Sequence, residues 1–237
     1  MKVGPSEILR IPDYVPASVY EGWVKQVFQE RNNWKNYFTF INSFGHAWYL
    51  DIEAGMLHQY HANAMSTNAS LKRLDGLVEC LTKSATYLTA PDGAVGLPCR
   101  ARHENLGPYW VEAGVVINTQ GHEGQVHADY EGIAPYPEKL FDPQTRAYSA
   151  VLSLVKPKFG GNLKIWTKHR LGNEPPDLED YTIDIVDYAA GTLVLFDSFC
   201  YHQILSSELT PEIPHRAVAA LHFLYIDKPH PHWEYWF

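Results

Sequence analysis

Residues 146–154 read Arg146-Ala147-Tyr148-Ser149-Ala150-Val151-Leu152-Ser153-Leu154, an apolar run of strand length that ends at the turn Lys156-Pro157-Lys158. Short runs of the same kind recur from about residue 98 onward, at residues 114–119, 162–166, 181–186, 192–196 and 217–225. Glycine and proline clusters separate them, for example Phe159-Gly160-Gly161. Many short strands separated by such turn residues predict a β-sandwich or β-barrel.

The first ninety residues have a different pattern. Residues 7–12 predict a short strand that ends at Pro12. Residues 17–30 carry apolar side chains three and four positions apart, which predicts an amphipathic helix. A second helix is predicted over residues 68–87, with Ser66 or Thr67 as its N-cap. We expect these helices to pack on one outer face of the sheets, so the predicted class is mostly β with helical support.

The composition fits an ordinary globular protein of one domain. The 237 residues suffice for one sizeable core. The formal charge of −8, without a Lys/Arg run, argues against nucleic acid or an anionic membrane as the partner. No stretch reads as a leader or a membrane span. Three scattered cysteines are expected to be reduced thiols, which favours a cytoplasmic location.

The tripeptide His127-Ala128-Asp129 is a candidate metal-binding motif. Residues two apart on a strand point to the same side, so His127 and Asp129 can reach one ion together. Two imidazoles and one carboxylate on one face of a metal leave the opposite face open, which suits non-haem Fe(II). We expect His202 to be the third ligand. His215 is the competing candidate, but it points opposite to Arg216 on the same strand.

With the strand motifs between them, these residues resemble the Fe(II)/2-oxoglutarate-dependent oxygenases, specifically the prolyl-hydroxylase-like branch. The resemblance covers roughly residues 114–225, and the opening strand and helix are similar as well. Its motifs, in chain order, are His-x-Asp, Arg-x-x-x-x-x-Leu at residues 146–152, Gly-Gly-x-Leu at residues 160–163, Gly-x-Leu-x-x-Phe at residues 191–196, His202 and Arg216. The resemblance implies a double-stranded β-helix, or jelly roll, with the metal between its two sheets. The expected single domain, residues 1–237, has helical support over about 1–97, a core over about 98–227 and a tail over 228–237.

The resemblance also implies roles for individual residues. His127, Asp129 and His202 match the Fe(II) ligands, and Arg216 matches the basic residue that holds the distal carboxylate of 2-oxoglutarate. A guanidinium can grip a carboxylate through two parallel hydrogen bonds. Relatives often carry a second, tyrosine anchor where this chain has Ser153, and Asn118 or Thr192 are the alternatives. The residues expected around the cosubstrate are therefore Arg216, Ser153, Leu163, Asn118, Val218 and His222.

The implied activity is oxidation of an unactivated C–H bond of a small molecule, such as an amino acid or a natural-product intermediate. O2 and 2-oxoglutarate are consumed, and succinate and CO2 are released. Hydroxylation is the default outcome; desaturation, epimerisation, cyclisation and peptidyl-prolyl hydroxylation are the alternatives. Asp129 argues against a halogenase, and His222, six residues after Arg216, argues against a nucleic-acid demethylase. A hypothesis of another class is a cupin-like metal-binding protein without redox activity.

Four residues are candidates for the substrate site: Arg146, Tyr130, Trp166 and Arg102. For each of them the structural alternative is packing in the core or at the rim. The same holds for the metal motif, because His127 and Asp129 could end a solvated strand and Arg216 could form a structural ion pair. The expected partner is a small molecule, and a homodimer is considered as well.

Overall fold

The computed structural model describes residues 2–102, 110–130, 133, 136–140, 142–170 and 183–237. Its N-terminal part contains one short strand, one β-hairpin and four α-helices. In chain order the elements are β1 (Ile8–Ile11), α1 (Ala17–Gln29), β2 (Trp34–Tyr37), β3 (Ile41–Phe44), α2 (Trp48–Glu53), α3 (Leu57–Leu71) and α4 (Leu77–Lys83). None of the described helices is both long and apolar enough to cross a membrane.

The remaining elements are strands, apart from one helical turn. They are β4 (Cys99–Ala101), β5 (Gly114–Asn118), α5 (Pro137–Leu140), β6 (Ala147–Val155), β7 (Phe159–Gly160), β8 (Leu163–Arg170), β9 (Ile183–Val186), β10 (Leu193–Asp197), β11 (Cys200–Ile204), β12 (Ser207–Glu208), β13 (Arg216–Ile226) and β14 (His232–Trp236). The strands predicted from apolar runs are confirmed to within a few residues. The predicted turn at residues 174–177 and the start of the run at 181–186 lie outside the described residues.

Twelve of the strands form two sheets that face each other, and β12 pairs with β7 in a separate two-stranded sheet. The major sheet has nine strands, in the order β1-β10-β6-β13-β5-β3-β2, with β14 and β4 added beside the second half of β13. The minor sheet has the order β11-β8-β9, and an isolated antiparallel bridge between His127 and His202 extends it on the β11 side. Nearly every pairing is antiparallel; β14 with β4 is parallel. This arrangement confirms the predicted jelly roll.

The two faces of the major sheet have different environments. On β13 the side chains of Ala219, Leu221 and Phe223 are 0% exposed and belong to the large core under the helices. That core includes Trp23 and Val27 of α1, which confirms that the helices pack on one outer face. The opposite face of β13 looks toward the minor sheet, where a smaller apolar cluster lies between the sheets. Alternation along the strand therefore separates the structural core from the interior of the jelly roll.

One prediction about the helices is wrong. The second helix is not continuous over residues 68–87: α3 begins at Leu57, and Gly76 adopts φ +76° before α4 begins. A left-handed residue breaks the helical path, and Ser66 and Thr67 lie inside α3 rather than at its cap. The predicted tail, residues 228–237, contains β14, which pairs with β13 and β4. The major sheet also includes β1, β2 and β3, which precede residue 98.

Candidate metal centre

Three side chains converge between the sheets: His127 and Asp129 come from the segment that bridges to β11, and His202 comes from β11 itself. One ligand atom each from His127, Asp129 and His202 lies within 4.8 Å of the others. The Oδ1 atom of Asp129 is 3.4 Å from Nε2 of His202 and 3.7 Å from Nε2 of His127. The structure thus brings together the residues that the sequence motif selected, although 75 positions separate His127 from His202.

Backbone pairing fixes this arrangement. The amide of His127 donates to the carbonyl of His202 at 3.0 Å, and the amide of His202 donates back at 2.8 Å. Two residues on, the amide of Asp129 donates to the carbonyl of Ser198 at 2.8 Å. The intervening Ala128 is buried on the opposite side, as strand alternation requires. The ligand set is therefore held by a ladder of main-chain hydrogen bonds.

Hydrogen bonds also set the tautomer of both histidine ligands. Nδ1 of His127 is 2.9 Å from the carbonyl of Gln125, and Nδ1 of His202 is 3.0 Å from the carbonyl of Cys200. A carbonyl oxygen only accepts, so each Nδ1 carries the proton and each Nε2 keeps its lone pair. An outer partner of this kind orients metal-binding histidines in proteins. Both Nε2 atoms face the carboxylate of Asp129, where a shared ion would lie.

The electrostatics favour the ligand forms at neutral pH. Burial alone would raise the pKa of the Asp129 carboxyl, but the three surrounding imidazoles outweigh it and hold this pKa well below its usual value. Desolvation and the nearby His202 ring lower the pKa of His127. Metal ligands must be a carboxylate and neutral imidazoles. The site therefore needs to lose no proton before it binds a cation.

The second oxygen of Asp129 is held by a polar network. Oγ of Ser149 lies 2.6 Å from Oδ2 of Asp129, 2.8 Å from Oγ of Ser198 and 3.1 Å from Nδ1 of His222. The carboxylate can only accept, so the Ser149 hydroxyl donates to it. Oγ of Ser149 then accepts from Ser198 and from the Nδ1–H of His222. Ser149 and His222 consequently leave Oδ1 of Asp129 to face the histidines.

Arg216 lies in the same interior and faces inward at the start of β13. It is 4% exposed, and its Nη2 donates to the hydroxyl of Tyr188. Within the part of the chain that the structure describes, no carboxylate lies within 4.0 Å of this guanidinium. A buried charge is costly unless it is paired, so Arg216 is a ready partner for an anion. Asn118 on β5 is paired in register with Arg216 on β13. The buried Oδ1 of Asn118 has no hydrogen-bond partner among the described residues.

Apolar side chains surround this arginine and separate it from solvent. Leu163 and Val218 belong to the cluster between the sheets, and Val218 is paired in register with Ser153. The glycine pair Gly160-Gly161 allows β7 to approach the chain at the start of β12 closely. Gly160 has φ +70°, and a Cβ on it would lie 2.1 Å from the carbonyl oxygen of Ser206. Five of the predicted cosubstrate residues thus lie around the start of β13, together with Tyr188, which no sequence pattern had marked. The sixth, His222, contacts Ser149 beside Asp129 instead.

The four candidate substrate residues have different positions. Tyr130 is 39% exposed at the rim, directly after Asp129. Arg102 is buried, with its guanidinium 4.7 Å, 5.0 Å and 4.3 Å from the ring centres of Trp110, Tyr136 and Trp236. These two stay candidates.

The structure does not bring Arg146 or Trp166 to the metal site. Nη1 of Arg146 donates to the carbonyls of Pro143 and Thr145, and the residue shares the strand face of Tyr148 rather than that of Ser149. Trp166 is paired with Tyr201, whereas the metal-site His202 is paired with Ile165. Alternation therefore places Trp166 on the outer side of the minor sheet. Both predictions are wrong because the sequence pattern marked these residues as strand residues without showing which face of the sheet they occupy.

Comparison with known proteins identifies the fold. Neither a protein-family model nor a curated protein matches the sequence. Among solved structures, an N-substituted L-amino acid dioxygenase from Burkholderia ambifaria AMMD matches with TM-score 0.59 and 13% identity, over 97% of this chain and 86% of that chain. HygX from Streptomyces hygroscopicus, with nickel and 2-oxoglutarate bound, matches with TM-score 0.51 and 11% identity, over 91% and 81%. The chain has the fold of these enzymes.

A third match is the non-haem α-ketoglutarate-dependent epimerase SnoN from nogalamycin biosynthesis, with TM-score 0.50 and 12% identity over 94% of this chain and 80% of that chain. At such sequence identities the similarity shows a shared fold, and the chemistry has to be inferred from the residues of the site. The site must therefore be judged on its own donor atoms.

Proposed function

We propose that the protein is a non-haem Fe(II)- and 2-oxoglutarate-dependent oxygenase that oxidises a C–H bond of a small molecule. The observation that carries the proposal is the common interior of two features. A two-histidine, one-carboxylate cluster lies between the sheets, and so does a buried arginine that has no carboxylate partner among the described residues. The first fits a ferrous ion and the second fits the far end of a dicarboxylate.

The donor set fits this metal. Two imidazole nitrogens and one carboxylate oxygen, gathered on one side, leave positions free for a bidentate cosubstrate and for O2. When bound, iron with 2-oxoglutarate supplies the oxidising power of the reaction. The chain itself contributes ligand geometry through His127, Asp129 and His202. Ser149 orients the carboxylate, and the apolar cluster between the sheets excludes water.

The anion pocket fits 2-oxoglutarate, with Tyr188 as the second anchor. Because the Tyr188 oxygen accepts a hydrogen bond from Arg216, its own O–H is available to donate to a carboxylate. Ser153 lacks the reach of a tyrosine, and Tyr188 enters the pocket from the segment between β9 and β10 instead. Arg216 and Tyr188 together offer donors to both oxygens of the distal carboxylate.

Tyr188→Phe should weaken the binding of 2-oxoglutarate by about five-fold, because one hydrogen bond of ordinary net strength is lost while the ring is kept. The dissociation constant is measured anaerobically in the presence of Fe(II). Tyr201→Phe, on the outer side of the minor sheet, is the matched control and should bind as the wild type does. An affinity for 2-oxoglutarate that Tyr188→Phe leaves unaltered would assign the second anchor elsewhere.

The proposed substrate class is taken from the matching structures. The matching structures include an N-substituted L-amino acid dioxygenase and an epimerase from nogalamycin biosynthesis, so the proposed substrate is a small molecule, an amino acid or natural-product intermediate. Hydroxylation is proposed first; desaturation, epimerisation, cyclisation and peptidyl-prolyl hydroxylation use the same cofactors. A redox-inactive cupin-like protein would not require Arg216. Cytoplasmic location and a homodimer stay predictions.

The proposal is tested by product analysis. Protein reconstituted with Fe(II), ascorbate, O2 and 2-oxoglutarate should form succinate slowly without substrate, and faster with a matching compound from a panel of amino acids, peptides and secondary metabolites. Asp129→Ala, which removes the ligand carboxylate, should form none above background. Succinate formation that is equal in the wild type and in Asp129→Ala would contradict the proposal.

A further inference from the structure

The hydroxyl of Ser149 is enclosed between the sheets beside the metal ligands. Ser149 lies on the inward face of β6, paired in register with His222, and is 0% exposed. A hydroxyl has one proton to donate and two lone pairs that accept, and a buried hydroxyl is costly unless it is hydrogen-bonded. Asp129, Ser198 and His222 all lie within hydrogen-bond distance of this oxygen, so its capacity is filled. The surrounding side chains therefore determine where its proton points.

The proton of Ser149 lies on the contact with Asp129. Oγ of Ser149 and Oδ2 of Asp129 are 2.6 Å apart, the length of a hydrogen bond from a hydroxyl to a carboxylate. A metal-binding carboxylate has no proton of its own, so Ser149 supplies the one on this contact. The other contacts, 2.8 Å to Oγ of Ser198 and 3.1 Å to Nδ1 of His222, are then donated to Ser149. The bond to the anion is the strongest of the three, because it is charge-assisted.

The two oxygens of Asp129 consequently have different surroundings. Oδ1 lies 3.4 Å from Nε2 of His202 and 3.7 Å from Nε2 of His127, where a shared ion would lie. Oδ2 is bound by Ser149 and lies 3.7 Å from Nδ1 of His222. A carboxylate can bind a cation through one oxygen or through both. The bond from Ser149 holds Oδ2 toward β6, which leaves Oδ1 as the ligand atom.

We propose that Ser149 is a positioning residue: its hydrogen bond keeps Asp129 a one-oxygen ligand and thereby keeps one more coordination position of the ion open. The proposal rests on the proposed oxygenase function. In octahedral geometry two histidines and one carboxylate oxygen leave three positions, enough for the keto acid of 2-oxoglutarate and for O2. With both oxygens of Asp129 bound, the keto acid would fill the two positions that remain. O2 would then have no position.

Mn(II) alone is the probe, because it accepts nitrogen and oxygen ligands in octahedral geometry and relaxes the protons of the waters bound to it. The wild-type protein should hold three waters on Mn(II) and Ser149→Ala two, so water-proton relaxation per bound ion should fall by about one third in the variant. Electron paramagnetic resonance of free Mn(II) in the same samples gives the bound fraction. The measurement needs no 2-oxoglutarate, no O2 and no turnover.

Ser149→Ala should still bind Mn(II), because all three ligands remain. Its affinity should fall by at most about ten-fold, the low end of the loss for a missing outer partner, since Oδ2 gains a contact with the ion. A complete loss of Mn(II) binding would overturn the proposal, because Ser149 would then only support the fold of the site.

Ser198→Ala is the matched control. It removes the same hydroxyl from a serine one hydrogen bond farther from Asp129 and leaves the Ser149 donor in place. Its Mn(II) relaxation should equal that of the wild type, and Ser149→Thr, which keeps a hydroxyl, should restore the wild-type value. Equal relaxation in the wild type and in Ser149→Ala would overturn the proposal. So would a fall in Ser198→Ala or in Ser149→Thr as large as the fall in Ser149→Ala.

The two proposals can fail separately. The wild-type protein is also examined for succinate formation from 2-oxoglutarate with Fe(II). Succinate, together with equal Mn(II) relaxation in the wild type and in Ser149→Ala, would leave the oxygenase in place and remove the role of Ser149. Relaxation that falls in Ser149→Ala, without succinate from the wild type, would keep the control of Asp129 and remove the oxygenase.

Discussion

His127→Ala is expected to lose high-affinity Fe(II) binding, with a dissociation constant raised at least about 100-fold. Loss of a hydrogen-bonded outer partner alone typically weakens a metal site 10–100-fold, and this substitution removes a ligand. Asp129 and His202 would remain as ligands, and the coordination position that His127 fills would be empty. Anaerobic calorimetric titration with Fe(II) measures the effect. His122→Ala, an exposed histidine five residues upstream, is the control and should bind iron as the wild type does.

The same measurement decides between the two candidates for the third ligand. His202→Ala should show a loss as large as that of His127→Ala, because Nε2 of His202 lies 3.4 Å from Oδ1 of Asp129. His215→Ala should keep the affinity, since its ring stacks on Phe28 at 5.0 Å between centres. Iron binding that survives in His127→Ala, or that fails in His215→Ala, would show that the ion is held elsewhere.

Arg216→Ala is expected to weaken 2-oxoglutarate binding by about 100-fold, because two charge-assisted hydrogen bonds to one carboxylate are lost. Arg216→Lys should recover part of the affinity, since an ammonium keeps the charge but not the paired geometry. The anaerobic dissociation constant is measured with Fe(II) bound. Iron affinity itself should change little, because the metal ligands lie on other strands.

2-Oxopentanoate is the control ligand for this prediction. It keeps the keto acid that chelates the metal and lacks the distal carboxylate. The wild type and Arg216→Ala should therefore bind 2-oxopentanoate with similar, weak affinity. An equal loss for both ligands would mean that Arg216→Ala disturbs the pocket as a whole, and an equal affinity of both proteins for 2-oxoglutarate would remove Arg216 from the cosubstrate site.

Strand periodicity predicted much of the site from the sequence. The alternation along residues 216–226 places Arg216, Val218 and His222 on one face, and the structure confirms that facing. The His-x-Asp motif likewise gave two side chains on one side of a strand. These are local properties, determined by the two-residue repeat of an extended chain. The mostly β class, and seven of the fourteen described strands, followed from the same repeat and the turns between them.

Contacts between remote segments could not be predicted in this way. Tyr188 reaches Arg216 from a connection with no repeat of its own, and only the register of the sheets brings the two together. Trp236 lies beside His222 because β14 pairs with β13, within the segment that the sequence marked only as a tail. The helix break at Gly76 depends on a backbone angle that a helical pattern of leucines conceals. The wrong predictions for Arg146 and Trp166 have the same origin, because a shift of one residue in register turns a side chain to the other face of the sheet.

The most direct test of the account is the visible absorption spectrum of the wild-type protein with Fe(II) and 2-oxoglutarate in the absence of oxygen. We predict a weak, broad charge-transfer band that appears only when protein, metal and cosubstrate are all present. The band should be absent from His127→Ala under the same conditions. A wild-type spectrum that 2-oxoglutarate leaves unchanged, although Fe(II) is bound, would contradict the proposal that this interior holds a ferrous ion and a dicarboxylate together.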